Sequence, residues 1–180
     1  MDTITREYAP YQLLPLADKD YYRTLSEGLD AVKASGAHYW ISAGTLLGLH
    51  RDGDYIPHDT DIDVAVIGNI DRNLLPDDFK LIRTVDMGEY QMQEAYMHEP
   101  TQIIFDIFNH HPQDETRYFN RRDDDQIIYT EKRLVDTLGE LEYKGLIIPV
   151  PNDLDAYLTA WYGDWRTPIT NGKREWDKCE

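Results

Sequence analysis

A chain of 180 residues, 41% apolar and 12% aromatic, can bury one real core but not two, and its composition excludes global disorder. A formal charge of −16 argues against a protein that grips nucleic acid by neutralising phosphates, although a metal ion can offset negative charge locally and so leaves nucleotides open. The one cysteine, Cys179, excludes an internal disulfide, and the chain shows neither a run of 18 apolar residues nor a basic-then-apolar leader; a single cytoplasmic domain over residues 1–180 with no transmembrane segment is expected.

Residues 1–17 carry Pro10 and Pro15 among aromatic and aliphatic side chains and predict an extended arm lying on the body of the domain. Asp18 reads as a helix cap. Tyr22, Leu25, Leu29 and Val32 follow at spacings of three and four up to Gly36, which predicts an amphipathic covering helix over 19–35. His38 to Ser42 is a short strand leading into a glycine turn at Gly44, then a helix over Thr45 to Leu49 whose first amides lie near that glycine. Asp52-Gly53-Asp54 and Pro57 force a loop. Asp61 to Ile67 is the next strand, with Ile62, Val64 and Val66 on one face and Asp61 and Asp63 on the other, about 6 to 7 Å apart along the chain.

Residues 71–79 predict a short helix interrupted by Pro76, and 80–87 with 90–97 a hairpin around Gly88-Glu89. In the strand 102–109, Ile104, Asp106 and Phe108 share one face while Ile103, Phe105 and Ile107 make the other wholly apolar. An aspartate in such company is either paired structurally or borders a site with the other carboxylates. Residues 112–125 are polar and read as a surface loop. Around Lys144-Gly145, residues 142–148 form two strand ends, the second stopped by Pro149 and Pro151. Asn152 caps a last helix with Leu154, Tyr157, Leu158 and Trp161 on its apolar face and Gly163 at its end, and a polar tail with two tryptophans follows.

These parts combine into a chemical hypothesis. Close carboxylates repel one another unless a divalent cation lies among them, and an all-oxygen set suits Mg²⁺ or Mn²⁺ better than zinc. Asp61, Asp63 and Asp106 can therefore hold one or two ions, the helix start can offer amides to a phosphate, and Asp106 is the candidate to draw a proton from an acceptor hydroxyl. A glycine motif, an Asp-x-Asp strand and a distant aspartate resemble the nucleotidyltransferase fold, an α/β domain with a small mixed sheet flanked by helices.

The resemblance extends further. Gly44-Thr45-Leu46-Leu47-Gly48, Arg51, Gly53, Tyr55-Ile56-Pro57, and Asp59 with Asp61-Ile62-Asp63 look like the signature of the LicD/fukutin family of phosphotransferases. Phe105-Asp106-Ile107-Phe108 is similar to that family's later acidic strand, and Leu158, Tyr162-Gly163 and Pro168 to its closing segment. The resemblance implies transfer of a phospho-substituent, such as phosphocholine or a polyol phosphate, from a CDP-linked donor to a sugar hydroxyl of a glycan. It also implies that Asp59, Asp61, Asp63 and Asp106 are the metal-site positions and Gly44, Thr45 and Arg51 the donor-phosphate contacts. His58, Thr60, Asp52 and Asp54 depart from the family pattern and are where a difference in substrate is expected. The alternatives are transfer of a nucleotidyl group from a nucleoside triphosphate, or an inactive binding module of the same fold.

Other features read as structural. His98 and the pair His110-His111 lack the spacing of a zinc site and have no cysteine partners. Asp123 to Asp125 reads as solvated surface. Trp161, Tyr162 and Trp165 can stack on a base or sugar, but helical spacing assigns Trp161 to packing.

Overall fold

The computed structural model describes residues 4–122 and 126–168. The central layer is a mixed sheet, larger than the small one expected, with eight strands among the described residues. Its main path begins at the edge strand β1 (Ile4–Tyr8), which pairs antiparallel with β4 (Phe79–Met87), so part of the expected N-terminal arm is a strand. The path continues through β5 (Tyr90–His98) and β6 (Ile103–Pro112) to β3 (Asp61–Ile67) and ends at β2 (Tyr39–Ile41). Among the described strands only β3 and β6 run parallel, in a register that places Asp63 opposite Asp106. The strands β7 (Arg117–Arg121) and β8 (Ile127–Glu131) continue from the far end of β6.

The two faces of this sheet have different partners. On one, Ile62, Val64, Phe105 and Ile107 are buried, and helix α1 (Tyr21–Ala34) packs against them. Gly28 makes that approach possible, since a Cβ there would lie 2.4 Å from the Phe105 ring. On the other face, Trp40 of β2 donates its indole N–H to the hydroxyl of Tyr157 (3.0 Å), which fixes α4 (Leu154–Tyr162) over the carboxylate end of the sheet. Helix α2 (Ala43–Arg51) lies against β3, and the short α3 (Lys132–Val135) leads to the two-stranded sheet of β9 (Leu138–Tyr143) and β10 (Leu146–Pro151), which packs on β2. None of the described helices is long and apolar enough to cross a membrane.

Several boundaries differ from the expectation. Asp20, rather than Asp18, caps α1 by accepting from the Arg23 amide, while Asp18 sits in the preceding turn at φ +64°. The expected helix over 71–79 is a single 3-10 turn at Arg72–Leu74, because Phe79 is already paired with His98 in the sheet. The expected surface loop over 112–125 contains β7. An end strand needs little apolar alternation when one residue anchors it, and Phe119 packs with Val85 and Met92 while the buried Asn120 amide donates to the carbonyls of Met92 and Asn109. Asp123 to Asp125 lie outside the described residues. In β10 the prolines do not stop the strand, which runs to Pro151; two residues apart, both turn the side that lacks an N–H away from β9. The cap of α4 is Asp153, whose side chain accepts from the Ala156 amide, whereas Asn152 donates to the Arg133 carbonyl. Within the polar tail, residues 169–180 with Trp176 and Cys179 are outside the described part, and Trp165 is buried in the core.

Candidate active site

The junction between β2 and α2 builds the site by holding Asp63 through its backbone. The Ser42 amide donates to the Asp63 carbonyl (3.0 Å), and the Asp63 amide donates to the Thr45 hydroxyl oxygen (2.8 Å). Ser42 leaves its position as N-cap without a side-chain capping bond, because its hydroxyl pairs with that of Tyr157 instead. Residue 43 bears the backbone strain of the turn, an alanine at φ +45°, and the helix begins there, so Gly44 belongs to its first turn rather than to a turn before it. The glycine is required by Asp59, because a Cβ at position 44 would lie 2.2 Å from the Asp59 Oδ2. Asp59 is buried and also accepts from the Thr60 amide through Oδ1 (3.0 Å).

Pairing of β3 with β6 then brings Asp61, Asp63 and Asp106 together, each offering one oxygen within 4.8 Å of the others. Asp63 and Asp106 are buried and Asp61 is half-buried. Burial, followed by the negative charges of Asp61, Asp59 and Asp106, holds the Asp63 carboxyl well above the usual carboxylate range, against a smaller opposing effect of Arg122. The neighbouring carboxylates thus oppose ionisation of Asp63 alongside them. The donor set is entirely carboxylate oxygen, which fits a hard divalent cation such as Mg²⁺ or Mn²⁺.

Asp106 already has protein partners. The amide of Gln93 donates to both its oxygens (2.9 Å each), and the Arg83 guanidinium forms a buried ion pair with Oδ2 while donating to the Tyr11 hydroxyl (3.0 Å). Sequence reasoning missed Arg83 and Gln93, because their meeting with Asp106 depends on strand order. Arg83 lies opposite Ala95 and Ala95 opposite Asp106, so the small alanine leaves the guanidinium room to reach across. The available signal was a charged residue within an otherwise strand-like run, KLIRTV.

The three carboxylates open onto a cleft of about 160 Å³ whose walls include Ala43, Gly44, Thr60, Phe108 and Arg122, with Leu13 at one side and Trp161 and Tyr162 of α4 at another. Trp161, expected in packing, therefore also faces this space. Thr45 lies below the cleft, engaged with Asp63. Arg51 is six residues further along α2, roughly 9 Å by helical rise, and its guanidinium is paired with Asp52. Of the positions that depart from the family pattern, Thr60 lines the cleft, whereas His58 is exposed, Asp52 holds Arg51, and Asp54 accepts from the Tyr143 hydroxyl of β9. The histidines considered for zinc serve the fold: His98 bonds Thr24, Thr101 and Glu27, and His110 and His111 bond the carbonyls of Phe108 and Gln91.

A family model described as LicD/FKTN/FKRP, nucleotidyltransferase domain, matches residues 36–153, which include all of these carboxylates. Two curated relatives, the ribitol 5-phosphate transferase FKRP of Homo sapiens and that of Mus musculus, are each 22% identical over 151 residues. The match covers 73% of this chain but only 29% of each relative's length. Among solved structures, a lincomycin-bound lincosamide antibiotic adenylyltransferase, LnuA, superposes with a TM-score of 0.52 at 16% identity, covering 78% of this chain and 85% of that one. That likeness shows the nucleotidyltransferase fold.

Proposed function

The chain belongs to the LicD/FKTN/FKRP nucleotidyltransferase-domain family, and from that premise we propose that it is a metal-dependent phosphotransferase. In this reading it moves a phospho-substituent, phosphocholine or a polyol phosphate, from a CDP-linked donor to a sugar hydroxyl of a glycan. The observation that carries the reading is the convergence of Asp61, Asp63 and Asp106 within 4.8 Å beside the first turn of α2. The name of the FKRP relatives, ribitol 5-phosphate transferase, favours a polyol phosphate as the group moved.

Asp61, Asp63 and Asp106 would hold Mg²⁺ or Mn²⁺, with Asp59 behind them setting the position of the α2 turn. Such an ion supplies Lewis acidity toward the phosphoryl oxygen and offsets the charge that develops there. The backbone amides at the start of α2 orient the phosphate, and Arg122 adds positive charge at the rim. Tyr162 and Trp161 limit water at the reacting centre. Because both oxygens of Asp106 already accept hydrogen bonds, a ligand's role suits it better than that of proton acceptor.

The test combines turnover with binding. Incubation of the protein, Mn²⁺, a sugar acceptor and labelled CDP-ribitol or CDP-choline is expected to release CMP. Release of pyrophosphate from a nucleoside triphosphate, with none of CMP from the conjugates, would instead establish nucleotidyl transfer. Calorimetry is expected to detect Mn²⁺ binding that Asp61→Asn weakens at least tenfold; no binding, or binding that this variant leaves unchanged, rules out the catalytic site proposed.

A further inference from the structure

The N-terminal arm, residues 9–17, lies outside the stretch 36–153 that the family model matches, yet it is stitched to the frame of the carboxylate cleft at both ends. At one end the Ala9 amide donates to the Ile82 carbonyl of β4 (2.7 Å), and Tyr11 packs on Ile82, Ala95 and Ile104. The Tyr11 hydroxyl accepts from Arg83, the residue that also grips Asp106. At the other end Leu16 is buried in the main core, and the amides of Leu16 and Ala17 donate to the carbonyls of Asp59 (2.8 Å) and Pro57 (3.0 Å). The Lys19 ammonium ties the span between these anchors to the start of β6, donating to the carbonyls of Leu14 (3.2 Å) and Gln102 (2.5 Å). Pro15 stiffens the span further.

Between its anchors the arm presents two leucines that it does not bury. Leu13 is 53% exposed and Leu14 41%, but Leu13 lines the carboxylate cleft and Leu14 does not. A side chain held over a cleft by an ordered backbone meets a ligand without the entropy cost of ordering a loop. Leu13 offers neither charge nor hydrogen bond. A phosphate gains nothing from such a surface, and its partners in the reading above are the amides of α2 and Arg122. The C–H face of a sugar does gain, because covering it together with the leucine removes apolar area from water. An in-line displacement also needs the attacking hydroxyl across the phosphorus from the leaving nucleotide, so the acceptor requires a wall of its own.

We propose that the arm is the acceptor-side wall of the active site and that Leu13 is a specificity-determining residue, packing on the C–H face of the sugar that carries the attacking hydroxyl. The inference rests on the phosphotransferase reading above and deepens it by assigning a residue to the acceptor. Because the arm lies outside the family match, it is where this chain selects an acceptor of its own.

Two neighbouring substitutions test the wall without touching a carboxylate. Leu13→Ser shortens it at an exposed position. Leu14→Ser makes the same chemical change one residue away and keeps the carbonyl that Lys19 uses. Release of CMP is followed with Mn²⁺ and whichever of labelled CDP-ribitol and CDP-choline the parent consumes, against a panel of methyl hexosides as acceptors. For the hexoside that the parent uses best, Leu13→Ser is expected to raise KM about five- to tenfold, part of the effect of burying a whole leucine. Donor KM, Mn²⁺ affinity and every constant of Leu14→Ser stay within about twofold of the parent, whereas damage to the fold or the metal site would move donor and acceptor constants together. If Leu13→Ser behaves like Leu14→Ser, or if no hexoside accelerates a parent that consumes the donor, the wall proposal is overturned although donor cleavage stands. If Leu13→Ser raises the donor KM and spares the hexoside, Leu13 faces the donor and the proposal is likewise overturned. A parent that binds no Mn²⁺, or releases no CMP from either conjugate, overturns both readings together.

Discussion

Alanine ordinarily exceeds glycine in a helix by about 1 kcal/mol, so Gly44 in the first turn of α2 stands against local preference. The reason lies in a contact distant in sequence: the three atoms nearest to a Cβ at position 44 all belong to the Asp59 carboxylate. Gly44→Ala is therefore expected to destabilise the protein by about 1–3 kcal/mol, as overpacking does in a filled interior. In a chain that also carries Asp59→Ala the same change should be neutral or favourable. Urea denaturation of the four chains gives the coupling directly, and additive effects would mean that Asp59 moves aside at no cost. The sequence reading placed this glycine at the site, but for its amides alone. Its role as a seat for Asp59 was hidden because nothing in the local pattern reports a contact made fifteen residues away. Thr45 is similar: a phosphate contact was expected from its place in the motif, and the structure uses its hydroxyl to fix the Asp63 amide.

Among the elements, β3 and β6 were legible because alternation of apolar and polar residues reveals a half-buried strand, and it placed Asp61, Asp63 and Asp106 on the correct faces. Strand order is not written locally, so the same pattern could not show that β4, two strands away, sends Arg83 to Asp106. Nor could it find β7, whose polar run becomes a strand only through pairing with β6 and β8. The importance of the β4–β6 connection can be measured. Arg83→Met removes the guanidinium partner of a buried carboxylate and is expected to cost about 3 kcal/mol in the absence of divalent cation. Arg83→Met combined with Asp106→Asn should recover much of that loss, since the buried charge is then gone as well. Saturating Mn²⁺ should shrink the single variant's deficit by substituting for the lost positive charge. Chemical denaturation with and without Mn²⁺ provides both comparisons; a deficit unaffected by either the second substitution or the cation would show that Arg83 acts through packing alone.

For the molecule as a whole, an excess of acidic groups, with a formal charge of −16, makes the response to pH a sum over many carboxylates, in which one buried group is visible only by difference. His110 is such a group. Its ring lies 5.2 Å from that of Trp40 at the end of the sheet, and burial pushes its pKa down to about 4, partly opposed by its bond to the Phe108 carbonyl. In the unfolded chain the imidazole protonates near its ordinary value of about 6.5. Its contribution to stability is therefore complete above that pH and is lost as the pH falls toward 4, amounting to roughly 3 kcal/mol across the interval. His110→Phe keeps a ring against Trp40, cannot ionise, and gives up the bond to Phe108, so it is expected to be less stable than the parent at pH 7.5. On acidification the parent should lose its advantage, with the stability curves converging and then crossing between pH 6.5 and 4.5. The carboxylates shared by both chains cancel in this difference, as does the pH-independent loss of the Phe108 bond, which leaves the slope to His110. A difference that stays constant from pH 7 to 4.5 in urea melts would mean that the folded protein protonates this histidine as readily as water does, and that the sheet end around Trp40 is open rather than buried.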